Sequence, residues 1–162
     1  MNFFIVMGVS GCGKTTVGRL LAQRLGWDFY DADSFHSAEN IAKMAHGIPL
    51  NDADRAPWLE SLHALIQGCI AEGRPGVLAC SALKQSYRDE LVSGAAGVQI
   101  VYLKGSYELI WSRISDRKGH YMKPDMLKSQ FATLEEPSSA LAVDIDQTLE
   151  EIVDDILAHM RL

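Results

Sequence analysis

The sequence predicts an α/β domain with a mainly parallel sheet, and three observations carry that expectation. Short apolar runs alternate with longer segments of helical period, the pattern of a βαβα chain. The first apolar run opens directly into a glycine-rich stretch that is followed by a helical pattern, the order of strand, tight loop and helix. The 162 residues are 48% apolar and 22% charged, with no repeat, low-complexity tract or Pro/Gly-rich linker, so residues 1–162 read as one globular domain.

In chain order, strands are expected near 3–7, 28–31, 77–80, 99–103 and 141–145, with helices near 14–25, 37–46, 55–72, 84–93, 106–117, 124–135 and 149–160. The run Phe3 to Met7 is too short for a membrane span or a signal peptide and has no basic segment before it, so it reads as a buried strand. The last helix is marked most clearly. Leu149, Ile152, Val153, Ile156, Leu157 and Met160 form one apolar stripe behind Thr148 and Glu151, which stand at capping-box spacing. Residues 118–124, with a glycine, a proline and mixed polar and aromatic side chains, read as a mobile loop between two helices.

Composition narrows the class of partner. With 15 Lys plus Arg against 21 Asp plus Glu, the net charge of −6 argues against a general affinity for nucleic acid or acidic membranes. Cys12, Cys69 and Cys80 are odd in number and contain no C-x-x-C pair, so neither a disulfide framework nor a zinc site is indicated and a reducing cytoplasm fits best. The charge is also uneven: residues 104–128 carry six basic and three acidic side chains, whereas 135–155 carry eight acids and no base. The acidic run reads as a solvated face.

The strongest motif is Gly8-Val9-Ser10-Gly11-Cys12-Gly13-Lys14-Thr15, a complete G-x-x-x-x-G-K-[ST] between strand and helix. Its glycines let the backbone wrap N–H groups around phosphate oxygens, and the following helix presents its N-terminal donors. Lys14 is expected at the β- and γ-phosphates and the Thr15 hydroxyl on Mg²⁺, which makes this a nucleoside triphosphate site. Cys12 contributes its backbone alone. An N-K-x-D is absent, which argues against a GTPase, and the third strand runs into Ser81 and Ala82 instead of ending in the acid a motor ATPase needs.

Other phosphate-handling pieces point to a kinase. In Asp31-Ala32-Asp33-Ser34-Phe35-His36 the acids follow the second strand, at the sheet edge where ligands gather. A carboxylate there can hold Mg²⁺ through water and accept the proton of an attacking hydroxyl; Asp33 is favoured, with Asp31 as the competitor. His36, Arg55, Lys84 and Arg88 fall in loops or helix starts after strands, a set suited to an acidic, polyhydroxylated acceptor. Arg113 and Arg117 stand four apart on one expected helix face, before Lys118, Gly119 and His120, and a lid near 113–124 would carry them over the γ-phosphate.

Together these segments resemble gluconokinases, small P-loop kinases that phosphorylate the 6-hydroxyl of D-gluconate from ATP. The resemblance runs through GVSGCGKTT, D-x-D-x-x-H, NIAKMAHGIPLNDADRAPWL, ACSALKQSYRDEL, VYLKGSYELIWSRISDRKGHYMK, QFATLEEP and VDIDQ. SALK-x-x-Y-R-D and R-x-x-x-R-K-G-H-[FY] separate this group from shikimate kinases. The resemblance implies a nucleoside-monophosphate-kinase-like fold of three layers, with a five-stranded parallel sheet in order 2-3-1-4-5 and helices on both faces. It further implies a mobile lid, Mg-ATP as donor, D-gluconate as acceptor and, often, a homodimer. By position it assigns Gly8 to Thr15 and Thr16 to ATP, Asp33 to the acceptor side, and Arg113 with Arg117 to the lid. His36, Arg55, Lys84, Arg88 and His120 match the gluconate side, and 143–147 the adenine. Related sequences often read G-D where this chain has DADSFH, which leaves Asp33 as the matching acid and weakens any role for Asp31.

Overall fold

A computed structural model of the chain describes residues 2–115 and 124–160. Five parallel strands, β1 (Phe3–Met7), β2 (Asp28–Asp31), β3 (Gly76–Ala79), β4 (Val98–Lys104) and β5 (Leu141–Asp144), form one sheet in the order β2-β3-β1-β4-β5. The helices are α1 (Lys14–Leu25), α2 (Ala38–Ala45), α3 (Asp52–Ala71), α4 (Gln85–Val92), α5 (Tyr107–Ser115), α6 (Pro124–Thr133) and α7 (Leu149–Met160), with a 3₁₀ turn at Ala32–Phe35. The strand order is the one the resemblance implies.

The unbroken apolar run of β1 is explained by its central place, since a strand covered on both faces has no solvent side. Successive side chains point to opposite faces. Phe4 and Val6 pack with Val17 and Leu21 of α1 and with Ile152 and Ile156 of α7, whereas Phe3, Ile5 and Met7 pack with Leu62 and Ile66 of α3 and Leu91 of α4. The sheet is therefore the middle of three layers. Because all its strands run one way, the loops after β1, β2 and β3 leave from the same edge, and the site lies there.

Local chemistry sets the helix ends. The Thr148 hydroxyl accepts from Glu151 N at 3.2 Å and Glu151 Oε1 from Thr148 N at 3.0 Å, the expected capping box of α7. The start of α3 lies three residues before the expected position 55, because Asn51 and Asp54 form a second such box. The eight acids of 135–155 are all exposed, as the solvated-face reading expects. Among the described residues, no helix is long and apolar enough to cross a membrane.

Candidate active site

The chain leaves β1 at Met7 and re-enters regular structure at Lys14, and the loop between them walls a cavity of about 320 Å³. Gly13 precedes α1 at φ 96°, a left-handed conformation that disfavours a side chain. Gly8 has φ 154°, and a Cβ there would come within 2.6 Å of Cys12 Sγ. Val9 and Cys12 turn into the core, and burial pushes the Cys12 thiol pKa up, so both serve the loop as scaffold. Thr15 and Thr16 line the cavity with Lys14, whose Nζ donates to Gly8 O at 3.0 Å and Val9 O at 3.1 Å.

Asp31 and Asp33 line the same cavity, and the structure separates their positions. Asp31 Oδ2 accepts from the Thr15 hydroxyl at 3.5 Å, while its Oδ1 accepts from Asp33 N at 3.0 Å and starts the 3₁₀ turn. Asp31, given little weight by the sequence, is thus the carboxylate brought to Thr15. One hydroxyl and two carboxylates are hard oxygen donors that make a partial shell. That set suits Mg²⁺, which keeps waters and takes further oxygens from phosphates.

A second cavity, of about 490 Å³, adjoins the first. Ser10, Asp33 and Ser81 line both, so Asp33 stands where the two spaces meet. His36, Arg55, Trp58 and Tyr87 line the second alone. The His36 ring stacks on Trp58 with centroids 4.4 Å apart, and burial lowers its pKa more than Asp33 raises it. Trp58 Nε1 donates to Ala32 O at 2.7 Å, bracing the turn that carries Asp33. The sequence offered no signal for that brace, since an indole in a helical pattern reads as core.

Arg55 and Lys84 do come together, around two residues the sequence did not single out. Arg55 Nη1 donates to the Tyr87 hydroxyl at 3.2 Å, and that hydroxyl donates to Asp52 Oδ1 at 2.5 Å. Lys84 Nζ lies 3.7 Å from the same Asp52 oxygen and 5.4 Å from the Tyr87 ring centroid. The Tyr87 hydrogen bond, followed by Lys84, holds the Asp52 carboxyl below its usual range. Arg55 lines the cavity itself, while Lys84 does not line it and stands behind Asp52 and Tyr87.

Arg88 is a correction. It is 1% exposed and does not line the acceptor cavity. Its Nη1 donates to Ala82 O at 2.7 Å and Leu83 O at 3.1 Å, and its Nη2 to Gln85 Oε1 at 3.0 Å and Glu135 O at 2.6 Å. The guanidinium thus fastens the loop after β3, where Ala82 sits at φ 44°, to the segment after α6. Arg113 also differs from expectation: its Nη2 donates to Ile145 O at 2.6 Å, tying α5 to the segment 143–147, and it does not line the phosphate cavity. Arg117, His120 and most of the expected lid lie outside the described residues.

A family model described as shikimate kinase matches residues 10–161. A probable gluconokinase of Mus musculus is 46% identical over 177 aligned positions, which cover 97% of this chain and 96% of the mouse protein. The chain belongs to the gluconokinase family. The thermoresistant gluconokinase of Escherichia coli K12 is 44% identical, with 94% of this chain and 89% of that protein covered. The crystal structure of a gluconokinase from Sinorhizobium meliloti 1021 superposes with a TM-score of 0.89 at 43% identity, covering 99% of this chain and 91% of that one. Membership agrees with a phosphate loop, a carboxylate in the same cavity and an adjoining second cavity on one sheet edge.

Proposed function

We propose that this gluconokinase-family chain transfers the γ-phosphoryl group of Mg-ATP to the 6-hydroxyl of D-gluconate, giving 6-phospho-D-gluconate and ADP in the cytoplasm. The observation that carries the reading is the place of Asp33, on the wall common to the phosphate cavity and a cavity flanked by Arg55. Gluconate has a carboxylate at one end and a primary hydroxyl at the other. With the carboxylate at Arg55, and Lys84 adding positive charge from behind Tyr87, the hydroxyl points back toward Asp33.

In this reading the loop from Gly8 to Thr16 cradles the phosphates with the N–H groups at the start of α1 and the Lys14 ammonium, and Lys14 exchanges its two backbone carbonyl partners for phosphate oxygens. Thr15 and the acids Asp31 and Asp33 are the groups that would hold Mg²⁺, directly or through water; bound there with ATP, the ion neutralises charge on the phosphates. Asp33 orients the hydroxyl and takes its proton as the oxygen attacks. His36 supplies a neutral ring beside the sugar acid, and His120 joins that side. Arg117 places positive charge against the transferred group, while Arg113 acts from the segment that approaches the adenine. Three buried, unpaired thiols support the choice of a reducing compartment.

The test is ADP release from Mg-ATP with D-gluconate, shikimate, AMP and other sugar acids offered separately. Stimulation by gluconate is expected; stimulation by another acceptor alone overturns the choice of substrate. The Arg55 assignment has its own readout. Arg55→Leu is expected to raise the KM for gluconate about 10- to 100-fold, the loss of one charge-assisted hydrogen bond, and to leave the KM for ATP within about twofold. An equal change in both constants contradicts a contact confined to the acceptor.

A further inference from the structure

Gln130 of α6 reaches across 120 positions of sequence to the phosphate loop. Its Oε1 accepts from Ser10 N at 2.6 Å, and its Nε2 donates to Ser10 Oγ at 2.7 Å. A carboxamide offers an acceptor and a donor side by side without charge, and here both face one residue. The rest of the loop is held otherwise: Gly8 N donates to Ser81 O at 3.4 Å outside the loop, and Cys12 N to Val9 O at 3.3 Å within it. Ser10 lies between these ties, and Gln130 fastens it from outside the loop.

The place of Ser10 gives that clasp a consequence. Ser10 is the one loop residue among the three that line both cavities, so it marks the end of the phosphate site where transfer occurs. The support is firm, because Leu127 on the same helix is fully buried. Met126, Ser129, Gln130 and Thr133 form one face of α6 that lines the second cavity, so the element that touches the acceptor space also holds the loop.

We propose that Gln130 is a positioning residue of the transfer reaction: it fixes Ser10, and through Ser10 the seat of the transferred phosphoryl group relative to Asp33. The turnover part of this claim rests on the kinase reading above. The binding part takes the third phosphate as the one seated at the Ser10 end of the loop, so a triphosphate is expected to lose more affinity than a diphosphate.

The test is Gln130→Met, which keeps length and packing but can make neither hydrogen bond. Affinities for ADP and for a non-hydrolysable ATP analogue are measured by calorimetry, and kcat with Mg-ATP and D-gluconate is measured in parallel. Expected are an analogue affinity about tenfold weaker, an ADP affinity within about twofold of the parent chain, and a kcat at least about tenfold lower. Equal weakening of both nucleotides, or no change in either, overturns the proposal. Gln130→Ala carries the same expectation should the methionine variant not fold. If the parent chain releases no ADP with gluconate, the functional reading fails, while the ratio of analogue to ADP affinity still decides the role of Gln130.

Discussion

Asp33→Asn is expected to lower kcat about a thousandfold, within the range a general base contributes, while ATP affinity changes by less than about threefold. Asparagine keeps the size of the side chain and can still accept a hydrogen bond from the acceptor hydroxyl. It cannot take the proton as the new bond to phosphorus forms. Asp33 N would still donate to Asp31 Oδ1, since that bond uses the backbone, so the 3₁₀ turn survives the change. Steady-state kinetics with calorimetric ATP binding check the split. Near-normal turnover in the variant contradicts the assignment of Asp33 as base, and the carboxylate that Thr15 touches, Asp31, then becomes the group to test.

Arg88→Met is expected to destabilise the fold by about 3 kcal/mol, measured by urea unfolding. The change leaves the carbonyls of Ala82 and Glu135 without their guanidinium donor, while Leu83 O keeps the Glu135 N–H at 2.8 Å. Each buried acceptor without a partner costs about 1–3 kcal/mol, and relief from burying a charge offsets part of the sum. Arg88 Nε is itself buried without a hydrogen-bond partner, so the residue is held for its two terminal nitrogens. Arg88→Lys is not expected to restore stability, because one ammonium cannot span the fork of acceptors on both loops. An unfolding free energy unchanged within about 0.5 kcal/mol contradicts this account of Arg88.

How much of this was legible in the sequence followed from how local each feature is. The phosphate loop is eight consecutive residues between a strand and a helix, so its motif and context could be read together. The cap and stripe of α7 lie within thirteen residues, and the structure reproduces the expected bounds 149–160. The order of strands came from resemblance, since no single segment encodes which neighbour it pairs with.

What the sequence misplaced depends on tertiary direction. Arg88 follows Lys84 by one helical turn, and that spacing is the same whether the guanidinium enters a cavity or a core; the carbonyl of Glu135, 47 residues away, decides it. Asp31 and Asp33 would share one face if β2 continued, but the strand ends at Asp31 and the chain turns into a 3₁₀ helix. Strand alternation therefore no longer assigns their roles. The early start of α3 lay in Asn51-Asp52-Ala53-Asp54, which reads as a polar loop until the reciprocal cap is seen. Tyr87 and Gln130 were present only as letters of longer segments, because their partners lie 35 and 120 positions away.

The product reports donor, acceptor and position of transfer at once. The measurement is proton-coupled phosphorus NMR of the product formed from Mg-ATP and D-gluconate. Expected is a phosphomonoester on the primary 6-hydroxyl, its signal split into a triplet by two methylene protons, with one ADP formed per product. A doublet from phosphate on a secondary hydroxyl would contradict the orientation between Arg55 and Asp33, and inorganic phosphate alone would contradict transfer to the sugar acid.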